Sequence, residues 1–350
     1  MRRIKTAIIG QGRSGRDIHG RYLKTDNRYD VCAIVDELSV RRDIAAKEWT
    51  CPIYARYEDL FGSEDLDLVV NASFSHQHAP ITADLLQHGF HVINEKPAAS
   101  TAAEVRHLDQ TAKENQKVLA FFQQSRFAPY YEQIKSVLAS GKLGRIVQIS
   151  LKFNGFARRW DWQCSRSFQG GNLFNTGPHP LDQALDLIDF KTEGIQIFCQ
   201  MDQANTFGDA EDYVKLVMRG QDIPLIDLEI SSCDAYADQL YHIQGTRGGL
   251  KGTMTSLNWR YFKTEEAPVQ KLITSSLQTK DGLPMYCGEK LSWYDESWAT
   301  EDARVFTDAV GRFYDHVYQA VTMDKPLPIT AGQIEKQLHV IETCHEQNQK

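Results

Sequence analysis

The chain has 350 residues, with 39 Lys and Arg against 46 Asp and Glu, and so carries a formal charge of −7. This acidic balance argues against a general nucleic-acid-binding protein, which would present a basic face. The length predicts two domains, and no apolar run approaches the ~18 residues that a membrane-spanning helix needs, so we expect neither nucleic acid nor membrane as a partner.

The seven cysteines are scattered along the chain, and no two form a Cys-x-x-Cys pair. This spacing indicates neither a metal site nor a disulfide framework. The N-terminal residues also lack the long apolar core and the small-residue cleavage site of a signal peptide. We therefore expect free thiols and a reducing, cytoplasmic location.

Short apolar segments alternate with helix-like segments over residues 1–123. The predicted strands are Lys5–Gly10, Val31–Asp36, Leu66–Ala72, Phe90–Asn94 and Val118–Phe122, and the predicted helices are Arg13–Leu23, Ser39–Glu48, Gln77–His88 and Thr101–Asn115. Strands that alternate with helices of about a dozen residues predict a parallel, doubly wound α/β sheet.

The pattern changes after residue 124, where extended segments follow one another. The predicted strands are Ile146–Phe156, Ile195–Met201, Tyr213–Arg219, Leu225–Cys233, Leu240–Gln244 and Leu250–Thr255, and the predicted helices are Tyr130–Ser140, Pro178–Ile188, Asp302–Val321 and Ala331–Glu346. Consecutive strands predict an antiparallel sheet. Residues 262–295 have no clear period and are predicted to form a long loop.

A glycine motif lies between the first predicted strand and the first predicted helix. It consists of Gly10, Gln11, Gly12, Arg13, Ser14 and Gly15. In this context a GxGxxG sequence allows a tight turn, close approach of a pyrophosphate and close packing of helix on strand. The free N–H groups at the start of the helix then face the phosphates. The motif therefore predicts dinucleotide binding.

Asp36 ends the second predicted strand, about 20 residues beyond the glycine motif, where an acid bonds the adenosine ribose hydroxyls. Because a carboxylate at this position repels a 2′-phosphate, we expect NAD as the cofactor. Arg41 and Arg42 follow closely and have the charge to bind a 2′-phosphate, so NADP stays an alternative.

Two polar segments follow the third and fourth predicted strands. The first contains Ser73 and His78, and the second contains Glu95 and Lys96, followed by Pro97. Ligands of open α/β sheets bind beyond the carboxyl ends of the strands, so we expect these side chains on the cofactor side. Lys96 either polarises a substrate hydroxyl or is a solvated lysine beside Glu95, and the spacing alone leaves both readings open.

An ordered set of motifs extends from residue 4 to about residue 190. After the glycine motif the chain reads HVINEKP, QQSRFAPYY, GKLGRIVQI and GGNLFNTGPHPLD, and later IQGTRGGLKG and PLPITAGQ. In this order the motifs resemble the Gfo/Idh/MocA family of NAD(P)-dependent oxidoreductases. The resemblance covers nearly the whole chain.

The resemblance implies a Rossmann dinucleotide-binding domain over residues 1–123. It implies a substrate-binding and oligomerisation α/β domain over residues 124–350, with a large, open, mainly antiparallel sheet and a final helix that packs back on the first domain. The implied reaction transfers a hydride between nicotinamide and a hydroxyl-bearing carbon of a small polyhydroxylated substrate, such as a sugar, sugar acid or inositol. An apolar open sheet face would need covering, so we expect a homo-oligomer, either a dimer or a tetramer.

The family's catalytic lysine corresponds to Lys96, and its Asp-x-x-x-His motif reads here as Asn175 to His179, with an amide in place of the acid. His179 begins a predicted helix, where the helix dipole disfavours imidazolium. We therefore expect a lowered pKa, a neutral general base and a rate that rises with pH near neutrality. Asn175 is expected to orient the ring or hold a substrate hydroxyl, or else to be a structural loop residue.

Lys96 would bind the substrate oxygen. Asp182, which follows His179 by one turn, is expected to be structural.

A basic and aromatic segment follows the first strand of the second domain. Arg158, Trp160 and Trp162 are candidates for binding a carboxylate and stacking on a sugar ring. The alternative is a surface loop that packs its own tryptophans. Leu291–Trp298 is a second aromatic stretch, either another wall of the site or a subunit contact, and Arg126 is expected at the domain junction.

Two other functions stay open beside the dehydrogenase. One is a catalytically silent NAD(P)-sensing binding protein, which the amide at Asn175 favours and which Lys96 and His179 together oppose. The other is an NAD-dependent glycoside hydrolase on the same scaffold, with no net redox change. Accumulation of NADH during turnover would distinguish the dehydrogenase from both alternatives.

Overall fold

The computed structural model describes residues 2–63 and 65–348. Within that part of the chain, one sheet has six strands, all parallel, in the order β3-β2-β1-β4-β5-β6. The strands are β1 Ile4–Ile9, β2 Tyr29–Val35, β3 Ile53–Tyr54, β4 Leu68–Asn71, β5 His91–Asn94 and β6 Leu119–Phe121. This is the Rossmann order, and the predicted doubly wound sheet is confirmed. The two-residue β3 is too short to show a sequence pattern, and the sequence analysis missed it.

Helices cover both faces of this parallel sheet, as its apolar strands require. They are α1, which is π-helical over Arg13–Gly20 and α-helical over Arg21–Leu23, then α2 Ser39–Glu48, α3 His78–Gln87 and α4 Ala102–Glu114. Helix α4 begins at a capping box, in which the side chains of Thr101 and Glu104 each bond the backbone N–H of the other.

A second sheet has eight strands among the described residues, in the order β14-β13-β12-β11-β7-β10-β9-β8. They are β7 Ile146–Asn154, β8 Gln196–Asp202, β9 Tyr213–Arg219, β10 Leu225–Ser231, β11 Tyr241–Gly245, β12 Gly248–Gly252, β13 Ser256–Tyr261 and β14 Tyr294–Ala299. Every neighbouring pair is antiparallel except β7 and β10. The predicted mainly antiparallel sheet is therefore confirmed. The remaining helices are α5 Pro129–Ala139, α6 Asn172–Asn175, α7 Pro178–Asp186, α8 Asp302–Met323 and α9 Ala331–Gln347.

The end of the stretch predicted as a long loop is a strand. Strand β14 pairs with β13 over its whole length, and its Glu296 accepts hydrogen bonds from Lys142 Nζ and Trp259 Nε1. The aromatic stretch Leu291–Trp298 thus ends in the sheet and does not line the cleft described below. Its polar side chains hide the apolar alternation by which strands are recognised.

The two faces of the second sheet differ in character. On β9, Leu216 and Met218 are fully buried against helices, whereas Lys215 on the opposite face forms ion pairs with Asp227 and Glu229 of β10. Because strand side chains alternate between faces, the outward face carries these ion pairs beside the exposed Phe198 and Leu225. The ion pairs on β9 and β10 thus interrupt the apolar face that was expected from the sequence, and association of subunits through it stays a prediction.

The C-terminal helices pack onto the helices of the first sheet. Glu342 of α9 accepts a hydrogen bond from Ala102 N of α4 at 3.2 Å, and Tyr314 Oη of α8 lies 2.7 Å from His19 Nδ1 of α1. These contacts fix the two sheets relative to each other. All seven cysteines carry free thiols, and no helix in the described residues has both the length and the apolar character to cross a bilayer.

Arg126 and Asp182 form a buried, two-pronged ion pair at the junction of the two sheets. Arg126 Nε donates to Asp182 Oδ2 at 2.9 Å, and Nη2 donates to Oδ1. The residues are 6% and 0% exposed. Arg126 Nη1 also donates to Gln333 Oε1 of α9 at 2.7 Å, so one guanidinium joins the turn after β6 to both α7 and α9.

We predict that Asp182→Asn lowers the free energy of unfolding by about 3–5 kcal/mol, because it leaves the guanidinium buried without its counter-charge. Urea unfolding followed by circular dichroism measures the loss. Asp295→Asn is the matched control, since Asp295 pairs with Arg260 on the surface and its loss should cost less than about 1 kcal/mol. Equal losses in the two variants would contradict the prediction.

Candidate functional site

A cleft of about 1260 Å³ lies beyond the carboxyl ends of the first sheet's strands and is lined by residues of both halves of the chain. The residues that the sequence singled out and that line it are Gly10, Gly12, Arg13, Ser14, Asp36, Arg41, Ser73, His78, Glu95, Lys96, Trp162, Asn175 and His179. Gln11, Gly15, Arg158 and Trp160 do not line it.

The glycine motif lies flat against the end of β4 and leaves one side open. A Cβ on Gly10, whose φ is +88°, would lie 2.1 Å from Ala72 O, and a Cβ on Gly15 would lie 1.8 Å from Gly10 O. A Cβ on Gly12 would meet nothing nearer than the Arg41 guanidinium at 3.6 Å. Gly10 and Gly15 are therefore packed tightly against backbone atoms. The motif presents the start of α1 to the cleft, where a pyrophosphate fits.

Asp36 ties the glycine motif to the end of β2. Its Oδ2 accepts a hydrogen bond from Gln11 N at 2.6 Å, and its Oδ1 accepts from Leu38 N at 2.8 Å. Arg41 Nη1 lies 3.5 Å from Oδ2 within the cleft. Arg42 instead donates to the backbone oxygens of Asp36 and of the next residue. Of the two arginines, Arg41 is therefore the one placed to contact the adenosine end of a cofactor.

Lys96 lies at the end of β5, beside a buried chain of polar groups. Glu95 accepts hydrogen bonds from His19 Nε2 at 3.1 Å and from Lys96 N at 2.9 Å. Burial opposes ionisation of Glu95, but the His19 hydrogen bond and the nearby charges lower its pKa to about 2. Burial lowers the pKa of Lys96, and Arg13 and Arg159 lower it further against the effect of Glu95. Lys96 Nζ crosses to the other half of the chain and donates to the backbone oxygen of Asn175 at 2.7 Å.

His179 faces the same cleft from the start of α7. Its Nδ1 lies 2.9 Å from Gln123 Oε1 and 3.2 Å from Ser125 Oγ. Burial, together with the charge of Lys96, lowers the pKa of His179 to about 3, although Glu95 acts in the opposite direction. The pKa of His179 is thus lowered in the expected direction, with burial as the largest cause and Lys96 as the second.

Among the hydrogen bonds of the described residues, none joins the Asn175 side chain to the ring of His179. Its side-chain oxygen accepts a hydrogen bond from Gln163 Nε2 at 3.3 Å, and its backbone oxygen holds Lys96. The hypothesis that Asn175 orients the histidine is therefore not supported. Asn175 stays a candidate for holding a substrate hydroxyl, because it lines the cleft.

His78 and Ser73 shape the wall beside Lys96. His78 is buried, with Nδ1 2.8 Å from Pro97 O and Nε2 3.2 Å from Ser73 O, and burial lowers the pKa of its imidazole. The ring thereby joins the turn after β5 to the loop after β4. Ser73 Oγ donates to Asn71 Oδ1 at 2.7 Å.

Two of the three predicted substrate residues after β7 lie outside the cleft. The Arg158 guanidinium stacks over Phe207 at 5.1 Å, and Trp160 is 80% exposed. In an extended segment, neighbouring side chains point to opposite sides, so Arg159 lines the cleft instead. Arg158 and Trp160 therefore do not line this cleft, and a substrate role for them stays a prediction. Trp162 lines the cleft and packs edge-to-face on Phe74 at 5.1 Å, across the boundary between the two halves.

Several polar residues of the site were missed from the sequence. Gln163, Gln124 and Thr176 line the cleft, and Gln123 holds His179. The segment QQSRF gave a signal, because two adjacent glutamines directly after a buried strand are positioned to face a ligand site.

The fold and the glycine motif define a Rossmann-type dinucleotide-binding protein, and comparison with known proteins identifies its family. The model of the oxidoreductase family with an NAD-binding Rossmann fold matches residues 4–123. The GFO/IDH/MocA C-terminal domain model matches residues 131–251. The two models together match more than half of the chain, which therefore belongs to the Gfo/Idh/MocA family.

Similarity to individual proteins is low but extends through both domains. The scyllo-inositol 2-dehydrogenase (NADP(+)) IolW of Bacillus subtilis (strain 168) is 27% identical over 220 residues, which are 61% of this chain and 59% of the relative. The D-glucoside 3-dehydrogenase of Escherichia coli (strain K12) is 29% identical over 194 residues, which are 53% of this chain and 54% of the relative. The match thus spans little more than half the length of these two relatives. The solved structure of GenD2 from gentamicin A biosynthesis, in complex with NAD, has the same fold, with a TM-score of 0.78 and 19% identity over 99% of this chain and 94% of that chain.

We predict that Gly12→Val folds but loses NAD binding. The backbone of Gly12, with φ −76°, is allowed for valine, and the added side chain would enter the space that the pyrophosphate needs. Isothermal titration with NAD measures the loss. Gly15→Val is the contrasting variant, which should fail to fold because its side chain meets backbone. A folded Gly12→Val protein with unchanged NAD affinity would contradict the prediction.

Proposed function

We propose that the protein is an NAD(P)-dependent dehydrogenase that transfers a hydride between nicotinamide and a hydroxyl-bearing carbon of a sugar, sugar acid or inositol. The observation that carries the proposal is the convergence of Lys96 and His179. They lie 83 positions apart in the chain (179 − 96), yet both line the cleft that the glycine motif enters. When bound there, the nicotinamide supplies the hydride acceptor.

His179 is proposed as the group that takes the proton of the substrate hydroxyl. Its low pKa keeps the imidazole neutral at physiological pH, so a ring nitrogen carries a free lone pair. That lone pair is the group that can accept the proton of an alcohol bound in the cleft.

Lys96 is proposed to bind the same substrate oxygen and stabilise its developing negative charge. Its ammonium has three donors, and one of them is used on the backbone oxygen of Asn175. The other two remain for a substrate. The hydrogen bond to Asn175 also fixes the ammonium against the second domain. The ammonium of Lys96 and the imidazole of His179 therefore keep a fixed relative position.

The rest of the lining suits a polyhydroxylated substrate. Gln163, Asn175 and Thr176 offer neutral donors and acceptors, and Trp162 offers an aromatic face. Arg159 is paired with Asp161 at 2.7 Å, so its charge is locally balanced. The names of the two curated relatives, an inositol dehydrogenase and a glucoside dehydrogenase, support the same substrate class.

The remaining expectations belong to the same proposal. The cofactor-binding role is assigned to residues 1–123 and the substrate role to residues 124–350. Asp36 favours NAD. Arg41 lies beside it and has the charge to bind a 2′-phosphate, so NADP stays an alternative cofactor. We retain a homo-oligomer and a cytoplasmic location as proposals, the latter in keeping with seven free thiols.

We predict that His179→Ala lowers turnover by about 10²–10⁴-fold, the range for loss of a general base. NAD affinity should hardly change, because the glycine motif lies in the other domain. A screen of inositols, aldoses and uronates with NAD and with NADP, followed by absorbance of the reduced cofactor, finds the substrate and measures the loss. Asn175→Ala is the milder comparison, since Asn175 supplies no charge. Full activity in His179→Ala would contradict the role of His179 as the base, and a failure of every substrate to accumulate reduced cofactor would favour the silent sensor or the hydrolase.

We predict that kcat/KM stays level on the acid side down to about pH 5. The folded-state pKa of His179 is about 3, so its neutral form persists well below neutrality and is lost only as the pH falls towards that value. The earlier expectation of a rise near neutral pH is corrected accordingly. On the basic side, activity should fall as Lys96 loses its proton, below its ordinary pKa of 10.5 because burial lowers it. An acid limb between pH 6 and 7 would contradict this prediction.

A further inference from the structure

His179 is held through one of its two ring nitrogens. Gln123 Oε1 and Ser125 Oγ both lie beside Nδ1, and the ring lines the cleft. Within residues 2–63 and 65–348, no hydrogen bond joins Nε2 to another residue. The residue four positions earlier, Asn175, bonds Gln163 instead, so nothing there orients the ring.

Behind Gln123 lies a second glutamine, Gln337 of α9, and both are almost completely buried, at 3% and 2% exposure. Gln337 Nε2 donates to the backbone oxygen of Pro178. Gln123 Nε2 donates to Gln337 Oε1 at 3.2 Å and approaches the same Pro178 oxygen at 3.4 Å. The two amides and the carbonyl thus form a short chain that ends at the ring of His179.

The backbone oxygen of Pro178 fixes which group donates and which accepts in each of these hydrogen bonds. A backbone carbonyl oxygen accepts and never donates, so the Gln337 amide must turn its nitrogen towards Pro178. Its oxygen is then left to accept from the nitrogen of Gln123. The Gln123 oxygen is the remaining group, and it faces His179.

An amide oxygen also only accepts, so the nitrogen beside it must carry a hydrogen. Nδ1 of His179 is therefore the protonated nitrogen, and in a neutral ring Nε2 is the one with the lone pair. Ser125 Oγ, at 3.2 Å, is a second acceptor for the same N–H.

We propose that Gln123 and Gln337 are positioning residues that keep the hydrogen of His179 on Nδ1 and direct an unprotonated Nε2 into the cleft. The inference rests on the proposed role of His179 as proton acceptor. An uncharged amide pair thereby does the orienting that a carboxylate at position 175 would otherwise do.

The surroundings of the ring make the tautomer decisive. The charged groups that act on His179 are Lys96 and Glu95, and burial together with Lys96 keeps the pKa of the ring low against Glu95. The imidazole is therefore neutral at physiological pH. Which of its two nitrogens accepts a proton then depends on the tautomer alone, and the Nε2–H tautomer would point a hydrogen at the substrate.

The first test reads the tautomer directly in the protein without substrate. Two-bond ¹H–¹⁵N correlation spectra of histidine-labelled protein distinguish the two tautomers, and loss of the signal in His179→Ala assigns it. We expect the Nδ1–H tautomer in the wild-type protein. We expect a mixture of tautomers in Gln337→Met, which frees Gln123 to rotate. An Nε2–H tautomer in the wild type, or a pure Nδ1–H tautomer in Gln337→Met, would overturn the proposal.

The second test measures rate. Gln337→Met should lower kcat by about 10-fold to 10²-fold, as misplaced catalytic groups do, with NAD affinity unchanged. Gln347→Met is the matched control, because Gln347 is also a glutamine of α9 with two hydrogen bonds, to Cys199 N and Ile197 O, outside the site. Equal kcat in Gln337→Met and Gln347→Met would count against the proposal.

The third test asks whether the side chain at position 123 contacts Nδ1. Gln123→Glu places a carboxylate on Nδ1, which should raise the pKa of His179 by about 1–3 and move the acid limb of kcat/KM upwards by the same amount. An unchanged limb would show that this side chain does not contact Nδ1 and would contradict the proposal. If no substrate is ever oxidised, the proposed function fails, whereas the spectra still decide whether the amide pair fixes the tautomer.

Discussion

The buried ion pair between Arg126 and Asp182 holds together the three segments from which one wall of the cleft is built. Arg126 lies in the turn after β6, Asp182 lies on α7, and Gln333, the second partner of Arg126, lies on α9. Each segment also contributes to the arrangement around His179. A buried guanidinium demands its acceptors in fixed directions, so the mutual position of these segments has little freedom.

The cofactor side of the cleft could be predicted because its signals are local. The glycine motif, the acid after β2 and the capping box at Thr101 each depend on residues close together in the chain. The GxGxxG geometry needs only a strand before it and a helix after it, and the structure has both. For the same reason the parallel, doubly wound character of the first sheet follows from the alternation of strands and helices.

The substrate side could be predicted only in part, because its contacts are long-range. Gln123 lies 56 positions from His179 and 214 from Gln337, and no sequence pattern reports such partners. The position of Arg158 and Trp160 outside the cleft has a different cause. The segment after β7 stays extended, so a shift of one residue decides which side chains enter the cleft, and composition alone does not fix that register.

The ion pairs on the outer face of the second sheet have a consequence for any association through it. Lys215 already pairs with both Asp227 and Glu229 there, so a subunit docking on this face would have to desolvate or replace existing ion pairs. Such a contact gains more in specificity than in affinity. It would also weaken as ionic strength rises and the screening length falls to about 10 Å at 0.1 M salt, unlike a contact between apolar sheets, which salt strengthens.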